Sequence, residues 1–220
     1  MPDKTLHRSR ITDQQAMNVR LRLLGDPVRH SISPDIYSAA FAAWDIDVEY
    51  GVLRVSRDGL AAAMRDSAVR GGNVTLPHKV RAASIVDEIT PEVQATGACN
   101  CYWRTEVGLL AGANTDVGGL AAALNDCEFS VAGCRVLLLG AGGAARAALH
   151  TLVTGKVSAV EILNRTPSHA WRLANAVPNS ATRVLDGERP EGTYDLVLNA
   201  TRLGLAPSDP HPIDLRFIDC

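Results

Sequence analysis

The sequence lacks several features that mark specialised classes of protein. Its five cysteines form no C-x-x-C pair and no disulfide-like framework, which argues against a secreted disulfide scaffold and against a metal site. Its 22 basic and 24 acidic residues are spread along the chain and give a formal charge of -2, so neither a nucleic-acid nor a membrane surface is expected. Residues 1–20 carry no apolar segment and are expected to form a flexible extension. We therefore expect a cytoplasmic protein in a reducing compartment.

The most informative stretch is Val136–Ala145, within a chain of 220 residues that is 46% hydrophobic and long enough for one large or two small domains. Four apolar residues lead directly into glycines, which predicts a buried strand that turns sharply into a helix over Ala144–Val153. Gly140, Gly142 and Ala145 have the G-x-G-x-x-A spacing of a dinucleotide-binding turn, in which the helix N-terminus faces the pyrophosphate.

A second apolar run, Val157–Leu163, follows at the distance expected of a βαβ unit and ends in Asn164, Arg165 and Thr166. An NAD site usually has Asp or Glu at this strand end to bind the ribose hydroxyls. A guanidinium and a hydroxyl instead suit a 2′-phosphate. We therefore expect NADP, with NAD as the alternative cofactor and a solvated arginine as the alternative role of Arg165.

The region before this unit begins with a predicted short strand over Leu21–Leu24 and a helix over Pro34–Trp44. The apolar residues of that helix recur at helical spacing and are assigned to the core. Ser33 is the expected N-cap of the helix, whereas Ser31 has no evident structural role. Two hydroxyls on one loop are suited to a polyhydroxylated ligand, although helix capping explains Ser33 equally well.

Polar residues also collect at the end of a short predicted strand that Pro77 interrupts. Asn73, Thr75 and Lys79 fall near this strand end, where ligand sites are common. Lys79 begins the next helix, where its charge opposes the helix dipole, so a purely structural lysine is disfavoured there. A surface lysine is the alternative.

Two further strands are predicted over Thr96–Trp103 and Leu109–Ala113, followed by a helix over Val117–Asn125. Asn100 lies on the first strand, and Asp116 immediately precedes the helix. Asp116 either caps this helix or turns its carboxylate towards a cleft beside Lys79. The sequence alone leaves both interpretations open.

Taken together, seven motifs resemble those of the shikimate dehydrogenase family, including its quinate-using relatives, from Leu21 to the last residue. The motifs are Ser31-Ile-Ser33-Pro34, Gly72-Asn-Val-Thr-Leu-Pro-His-Lys79, Gly97-Ala-Cys-Asn100, Gly112-Ala-Asn-Thr-Asp116, Gly140-Ala-Gly-Gly-Ala144, Asn164-Arg-Thr166 and Asn199-Ala-Thr201. The resemblance implies an α/β fold with two domains, an N-terminal α/β substrate domain and a C-terminal Rossmann-type NADP-binding domain. We expect a substrate-binding domain over 21–115, a connecting helix over 116–127 and a dinucleotide-binding domain over 128–220.

The resemblance also implies a role for each matching residue. Lys79 and Asp116 would be the catalytic pair in the NADP-dependent oxidation of shikimate to 3-dehydroshikimate. Substrate would be bound by Ser31, Ser33, Asn73, Thr75, Lys79, Asn100 and Asp116. Cofactor would be bound by Gly140, Ala141, Gly142, Gly143, Ala144, Asn164, Arg165, Thr166, Asn199, Ala200 and Thr201. The chemistry is consistent, because reduction of a ketone by hydride requires a proton for the developing alkoxide, and an ammonium beside a carboxylate supplies one.

Three departures from the family pattern are visible. Cys101 replaces a threonine, and His169 replaces a second basic residue for the 2′-phosphate. Family members continue beyond Phe217–Cys220 through a tyrosine-bearing loop and further helices, one of which carries a glutamine that contacts substrate. We therefore expect a truncated dinucleotide domain with one edge of the cleft open. A quinate or aminoshikimate dehydrogenase and a catalytically weak ligand sensor are the alternative functions, and a monomer or a homodimer is expected.

Overall fold

Two β-sheets, each with its own apolar core, organise the chain in a computed structural model that describes residues 19–187 and 189–214. The strands of the first sheet are β1 (Val19–Gly25), β2 (Val48–Arg54), β3 (Gly71–Val74), β4 (Glu88–Ile89), β5 (Cys101–Arg104) and β6 (Leu110–Ala113). They lie in the order β2-β1-β3-β5-β6-β4. Because β5 runs antiparallel to both of its neighbours and the other pairs are parallel, we term this the mixed sheet.

Four helices connect the strands of the mixed sheet: α1 (Ser33–Ala43), α2 (Leu60–Met64), α3 (Lys79–Ala83) and α4 (Pro91–Thr96). A longer helix, α5 (Thr115–Asp126), then leads to the second sheet. Asn114 begins α5 by accepting a hydrogen bond from the backbone N–H of Asp116, which satisfies one of the free donors at the helix N-terminus.

The second sheet is parallel throughout and has the order β10-β7-β8-β9. Its elements are β7 (Arg135–Leu139), α6 (Gly143–Thr154), β8 (Ala159–Leu163), α7 (Pro167–Ala176), β9 (Thr182–Val184) and β10 (Leu196–Asn199). The four apolar residues of β7 are all buried, as expected for a central parallel strand covered on both faces. Ala145 is fully buried, which permits close packing of α6 against the sheet.

The predicted α/β fold is confirmed, and so are the strand–turn–helix at Val136–Ala145 and the helix after Asp116, which begins two residues earlier than predicted. The strand predicted over Thr96–Trp103 is wrong in its first half. Thr96 ends α4, Gly97 turns the chain with a positive φ of 61°, and pairing begins only at Cys101. Pro91, as the first residue of α4, marked a helix start that the sequence analysis missed.

The core assignment for the first helix is also wrong. No residue of α1 is buried, and Ile36 and Trp44 are more than half exposed. The helix instead contacts the mixed sheet through Tyr37, whose ring stacks on that of Tyr50 in β2 with the centroids 4.4 Å apart. Helical spacing identified an apolar stripe here but not the side of the helix that packs.

The ends of the chain fall largely outside the described residues. Val19 and Arg20 belong to β1, since they pair with Val48 and Glu49 of β2, and not to the extension predicted for residues 1–20. The rest of that extension, and the segment Phe217–Cys220, lie outside the described residues. Within the described ranges, none of the helices has the length and apolarity needed to cross a membrane.

Candidate functional site

The residues predicted to be catalytic meet where the mixed sheet and the parallel sheet approach each other. Lys79 is the first residue of α3, and Asp116 lies in the first turn of α5. The Lys79 ammonium Nζ donates to Asp116 Oδ2 at 2.7 Å, with 17% of the lysine side chain and 29% of the aspartate side chain exposed. The pair is therefore shielded but still accessible to a ligand.

Asn100 fixes the other side of the Asp116 carboxylate. Its amide Nδ2 donates to Asp116 Oδ1 at 2.7 Å and to Thr115 Oγ1 at 2.9 Å, while its Oδ1 accepts from the Thr115 backbone N–H. Asn100 is buried, so these hydrogen bonds hold both groups in one orientation. Each oxygen of Asp116 thus has a donor, one from α3 and one from the end of the mixed sheet.

The capping interpretation of Asp116 is not what the structure shows. Asn114 occupies the N-cap position of α5 and Asp116 is already helical, so its carboxylate is directed to Lys79 and Asn100. A carboxylate in the first helical turn is also stabilised by the helix dipole. Of the two roles left open by the sequence, the structure therefore favours the one in the cleft.

The two serines exchange the structural roles that the sequence suggested. Ser33 is the first residue of α1 and its side chain caps nothing, whereas the Ser31 hydroxyl accepts the Ser33 backbone N–H at 3.2 Å. The Ser31 hydroxyl also donates to Ser33 Oγ at 3.0 Å, so the two hydroxyls lie side by side. This adjacency suits a bidentate anion such as a carboxylate.

Tyr50 contributes to the site but was not predicted. Its hydroxyl donates to Asn73 Oδ1 at 2.8 Å, and Asn73 Nδ2 lies 3.4 Å from the backbone oxygen of Asn100. Burial raises the pKa of Tyr50 well above its usual range, so the hydroxyl remains a donor. Tyr50 comes near Asn73 because β1 pairs with both β2 and β3. This proximity depends on the order of the strands, so the sequence offered only an aromatic residue on β2 as a signal.

Thr75 follows directly after the last residue of β3. A Cβ on Gly25 would overlap the methyl group of Thr75, so this methyl packs against the backbone of β1. The Thr75 hydroxyl makes no hydrogen bond to any other described residue. It is therefore available to a ligand hydroxyl.

The three glycines of the dinucleotide turn have different surroundings. Gly140 has a φ of 105°, and a Cβ there would lie 2.9 Å from the Ala200 carbonyl oxygen, so both conformation and space require glycine. A Cβ on Gly142 would have no described atom within 4 Å. A Cβ on Gly143 would lie 2.5 Å from the Cβ of Lys79. The turn thus touches the candidate catalytic lysine directly.

The remaining predicted cofactor residues lie at the carboxyl ends of β8 and β10, on either side of β7. Asn164 Nδ2 donates to the Thr166 carbonyl, and Asn199 Oδ1 accepts from the Thr201 N–H and hydroxyl, so the asparagine of each segment holds the backbone that follows it. Arg165 is exposed and makes no hydrogen bond or ion pair within residues 19–187 and 189–214. Its donors are therefore available for a phosphate.

Arg146 is a second residue that sequence reasoning missed. It lies in α6, and its guanidinium Nη1 donates at 2.9 Å to the backbone oxygen of Thr96 at the end of α4. Burial lowers the pKa of Arg146, and its Nε is buried without a hydrogen-bond partner in the described structure. The residue links the two sheets beside the dinucleotide turn.

Comparisons with known proteins agree with this architecture. A family model for the shikimate dehydrogenase substrate binding domain matches residues 23–102, and one for shikimate / quinate 5-dehydrogenase matches residues 121–203. The chain is 38% identical over 190 residues to a shikimate dehydrogenase (NADP(+)) of Aeromonas salmonicida (strain A449), covering 84% of this chain and 70% of that relative.

Solved structures give the same result. The chain superimposes on shikimate dehydrogenase 1 from Peptoclostridium difficile with a TM-score of 0.81 and 28% identity, covering 91% of this chain and 75% of that one. It is also similar to shikimate 5-dehydrogenase from Thermus thermophilus, solved in complex with NADP(H) and shikimate, with a TM-score of 0.78 and 33% identity. That match covers 91% of this chain and 75% of the other.

Proposed function

The chain belongs to the shikimate dehydrogenase family, as its motifs predicted, and on this premise we propose that it catalyses the NADP-dependent, reversible oxidation of shikimate to 3-dehydroshikimate. One observation carries the proposal: the ion pair between Lys79 and Asp116 lies against Gly143 of the dinucleotide turn. An acid–base pair and a cofactor-binding turn in contact are what a dehydrogenase requires.

Substrate binding is assigned to side chains from the mixed sheet and from the starts of α1 and α5. Ser31 and Ser33 would bind the carboxylate of shikimate through their adjacent hydroxyls. Ring hydroxyls would be bound by Asn73, Thr75, Asn100 and Asp116. The fixed orientation of the amides supports this assignment, because preorganised donors and acceptors bind a polyhydroxylated ring with less loss of side-chain entropy.

The structure has the features that NADP requires. The open side of Gly142 leaves room for a pyrophosphate to approach the backbone, and Arg165 offers unengaged donors to a 2′-phosphate. The proposed cofactor residues are Gly140, Ala141, Gly142, Gly143, Ala144, Asn164, Arg165, Thr166, Asn199, Ala200 and Thr201. When bound, NADP⁺ accepts the hydride that leaves the substrate carbon.

The chain itself handles the proton. As hydride leaves the carbinol carbon, the hydroxyl proton must leave its oxygen, and Lys79 Nζ beside Asp116 would take it after releasing one of its own protons to solvent. In the reverse direction the Lys79 ammonium returns this proton to the developing alkoxide and stabilises its charge. Asp116, held by Asn100, keeps Nζ oriented through both steps.

An absorbance assay of NADPH formation tests the proposal, with shikimate or quinate as substrate and NADP⁺ or NAD⁺ as cofactor. We expect turnover to be highest with shikimate and NADP⁺. Faster turnover of quinate than of shikimate would identify the protein as a quinate dehydrogenase. Saturable binding of shikimate without turnover would identify it as a ligand sensor and not an enzyme.

The domain boundaries, the cellular location and the oligomeric state are part of the same proposal. We propose a substrate domain over 21–115, a connecting helix over 116–127 and a dinucleotide domain over 128–220, with a cytoplasmic location and a monomeric or homodimeric state. The separate cores of the two sheets support this division. Light scattering of the purified protein would give its oligomeric state.

A further inference from the structure

Gly143 is in contact with the stem of Lys79, although the two residues belong to helices that flank different sheets. An ideal Cβ on Gly143 would lie 2.5 Å from Lys79 Cβ, 3.0 Å from Cδ and 3.2 Å from Cγ. The lysine stem therefore occupies the space that a side chain at position 143 would need. Such an overlap is severe, because non-bonded carbons pack at about 3.5–4.0 Å.

The adjacent glycine has no such neighbour. A Cβ on Gly142 would meet open space, which is where the dinucleotide is expected to approach the turn. Gly143 has a negative φ and is helical, so its backbone conformation does not require glycine either. What demands glycine at position 143 is the approach of Lys79.

We propose that Gly143 is a positioning residue for Lys79: its missing side chain lets α6 approach α3 closely enough to hold the ammonium beside the cofactor turn. This inference rests on the proposed dehydrogenase function. A methyl group at position 143 would force α3 and α6 apart by roughly 1 Å, since the conflicting atom is the Cβ of Lys79 and cannot rotate away.

A second contact in the same helix limits how this overlap is relieved. Arg146 donates to the Thr96 oxygen at 2.9 Å, and its guanidinium lies 3.0 Å from where a Cβ on Gly97 would be. This contact holds α6 against the end of α4, so displacement at Gly143 falls on Lys79 and its pair with Asp116. A misplacement of about 1 Å in a reacting group costs roughly 10²-fold in rate.

The test compares Gly143→Ala with the matched control Gly119→Ala, a helical glycine of α5 whose added Cβ meets no described atom within 4 Å. For Gly143→Ala we expect kcat for shikimate to fall roughly 10²-fold. NADPH affinity from fluorescence titration should fall much less than kcat, because the methyl points to Lys79 and the backbone N–H that position 143 offers to the cofactor is retained. Retention of kcat, or a loss of NADPH affinity as large as the loss of kcat, would overturn the inference. Thermal unfolding of both variants checks that the chain remains folded.

A measurement without turnover separates this inference from the proposed function. Reductive methylation by formaldehyde and cyanoborohydride is followed at Lys79 by mass spectrometry, with the exposed Lys156 as internal reference. We expect Gly143→Ala to increase the relative rate at Lys79 severalfold, since displaced Nζ would leave Asp116. An unchanged methylation rate at Lys79 would show that Gly143 does not position this lysine, and this result can be obtained even if the protein is inactive. Absence of shikimate turnover in the unaltered chain would instead reject the proposed function.

Discussion

Two partly shielded ion pairs of similar length, one beside the mixed sheet and one within the parallel sheet, differ in how the protein surrounds them. Lys79 and Asp116 are 2.7 Å apart in the cleft, whereas Arg135 and Glu161 are 2.9 Å apart on neighbouring strands of the parallel sheet. Distance alone does not distinguish them. The difference lies in how many of their hydrogen-bonding positions are already used.

The pair in the parallel sheet is tied to several neighbouring groups. The Tyr194 hydroxyl donates to Glu161 Oε2, and Arg183 lies 3.7 Å from Oε1. Arg135 also donates to the backbone oxygens of Thr193 and Glu191, and its guanidinium lies 4.4 Å from the centre of the Tyr194 ring. Burial by itself would raise the pKa of Glu161, but the donors Tyr194 and Arg135 hold it below its usual value. These contacts tie the pair to neighbouring parts of the parallel domain, as expected of an ion pair that joins strands.

The pair in the cleft keeps part of its capacity. Lys79 Nζ has three donor positions and makes one hydrogen bond to the described residues, to Asp116. The Thr75 hydroxyl, assigned to the same site, is likewise unengaged by described residues. The number of hydrogen bonds that a pair makes to the rest of the protein, more than the presence of charge, therefore distinguishes the candidate catalytic pair from the structural one.

Replacing Lys79 with Ala has the largest expected effect. If kcat were unchanged, the cleft pair would be structural, like the pair in the parallel sheet. We expect kcat to fall about 10²- to 10⁴-fold, the usual contribution of general acid–base catalysis. NADPH affinity should be nearly unchanged. The control is Lys156→Gln, at an exposed lysine with no assigned role. A large loss of cofactor binding with little loss of kcat would instead assign Lys79 to the phosphates.

Replacing Arg165 with Ala tests whether this arginine, which makes no hydrogen bond to the described residues, binds the 2′-phosphate of the cofactor. We expect NADP⁺ to bind roughly 10- to 10²-fold more weakly and NAD⁺ to be almost unaffected, because only NADP⁺ carries the 2′-phosphate. Titration of both cofactors measures the ratio. Arg172→Ala, at an exposed arginine of α7, is the matched control. Equal losses for both cofactors would reject the assignment.

Local patterns predicted the parallel sheet better than the mixed one. A run of apolar residues ending at Gly140 identifies a buried strand and turn because each signal lies within about ten residues. The exposure of α1 could not be predicted from such local patterns, since the way this helix packs depends on the contact of Tyr37 with Tyr50 in β2. The same is true of the site. Motif resemblance suggested Lys79, Asp116 and Asn100, but the hydrogen bond from Tyr50 to Asn73 depends on strand order.

Replacing Tyr50 with Phe tests whether the hydrogen bond from Tyr50 to Asn73, which lies within the protein, affects substrate binding. The change frees Asn73 Oδ1 while keeping the ring stack, so we expect KM for shikimate to rise about fivefold, which corresponds to about 1 kcal/mol for one neutral hydrogen bond. kcat should change little. Tyr37→Phe is the control, because the Tyr37 hydroxyl donates to no described residue. Equal KM values for the two variants would remove Tyr50 from the site.

Replacing Glu161 with Gln should have the smallest effect on turnover and a clear effect on stability. Because the pKa of Glu161 is lowered in the folded protein, its contribution is complete above about pH 4.3, the ordinary pKa of glutamate, and is lost as pH falls through the lower folded value. We expect the variant to lose about 2 kcal/mol of unfolding free energy near neutral pH, from weakened charge-assisted hydrogen bonds. The difference from the unaltered chain should shrink in acid.

Urea denaturation at neutral and acidic pH measures this difference, with Glu49→Gln as the control. Glu49 pairs with Arg20 at 2.9 Å, but 68% of its side chain is exposed, so we expect a loss below about 1 kcal/mol. kcat and KM should be unchanged in both variants. If Glu161→Gln instead lowered kcat while leaving stability intact, the number of hydrogen bonds to the rest of the protein would no longer separate a structural ion pair from a catalytic one.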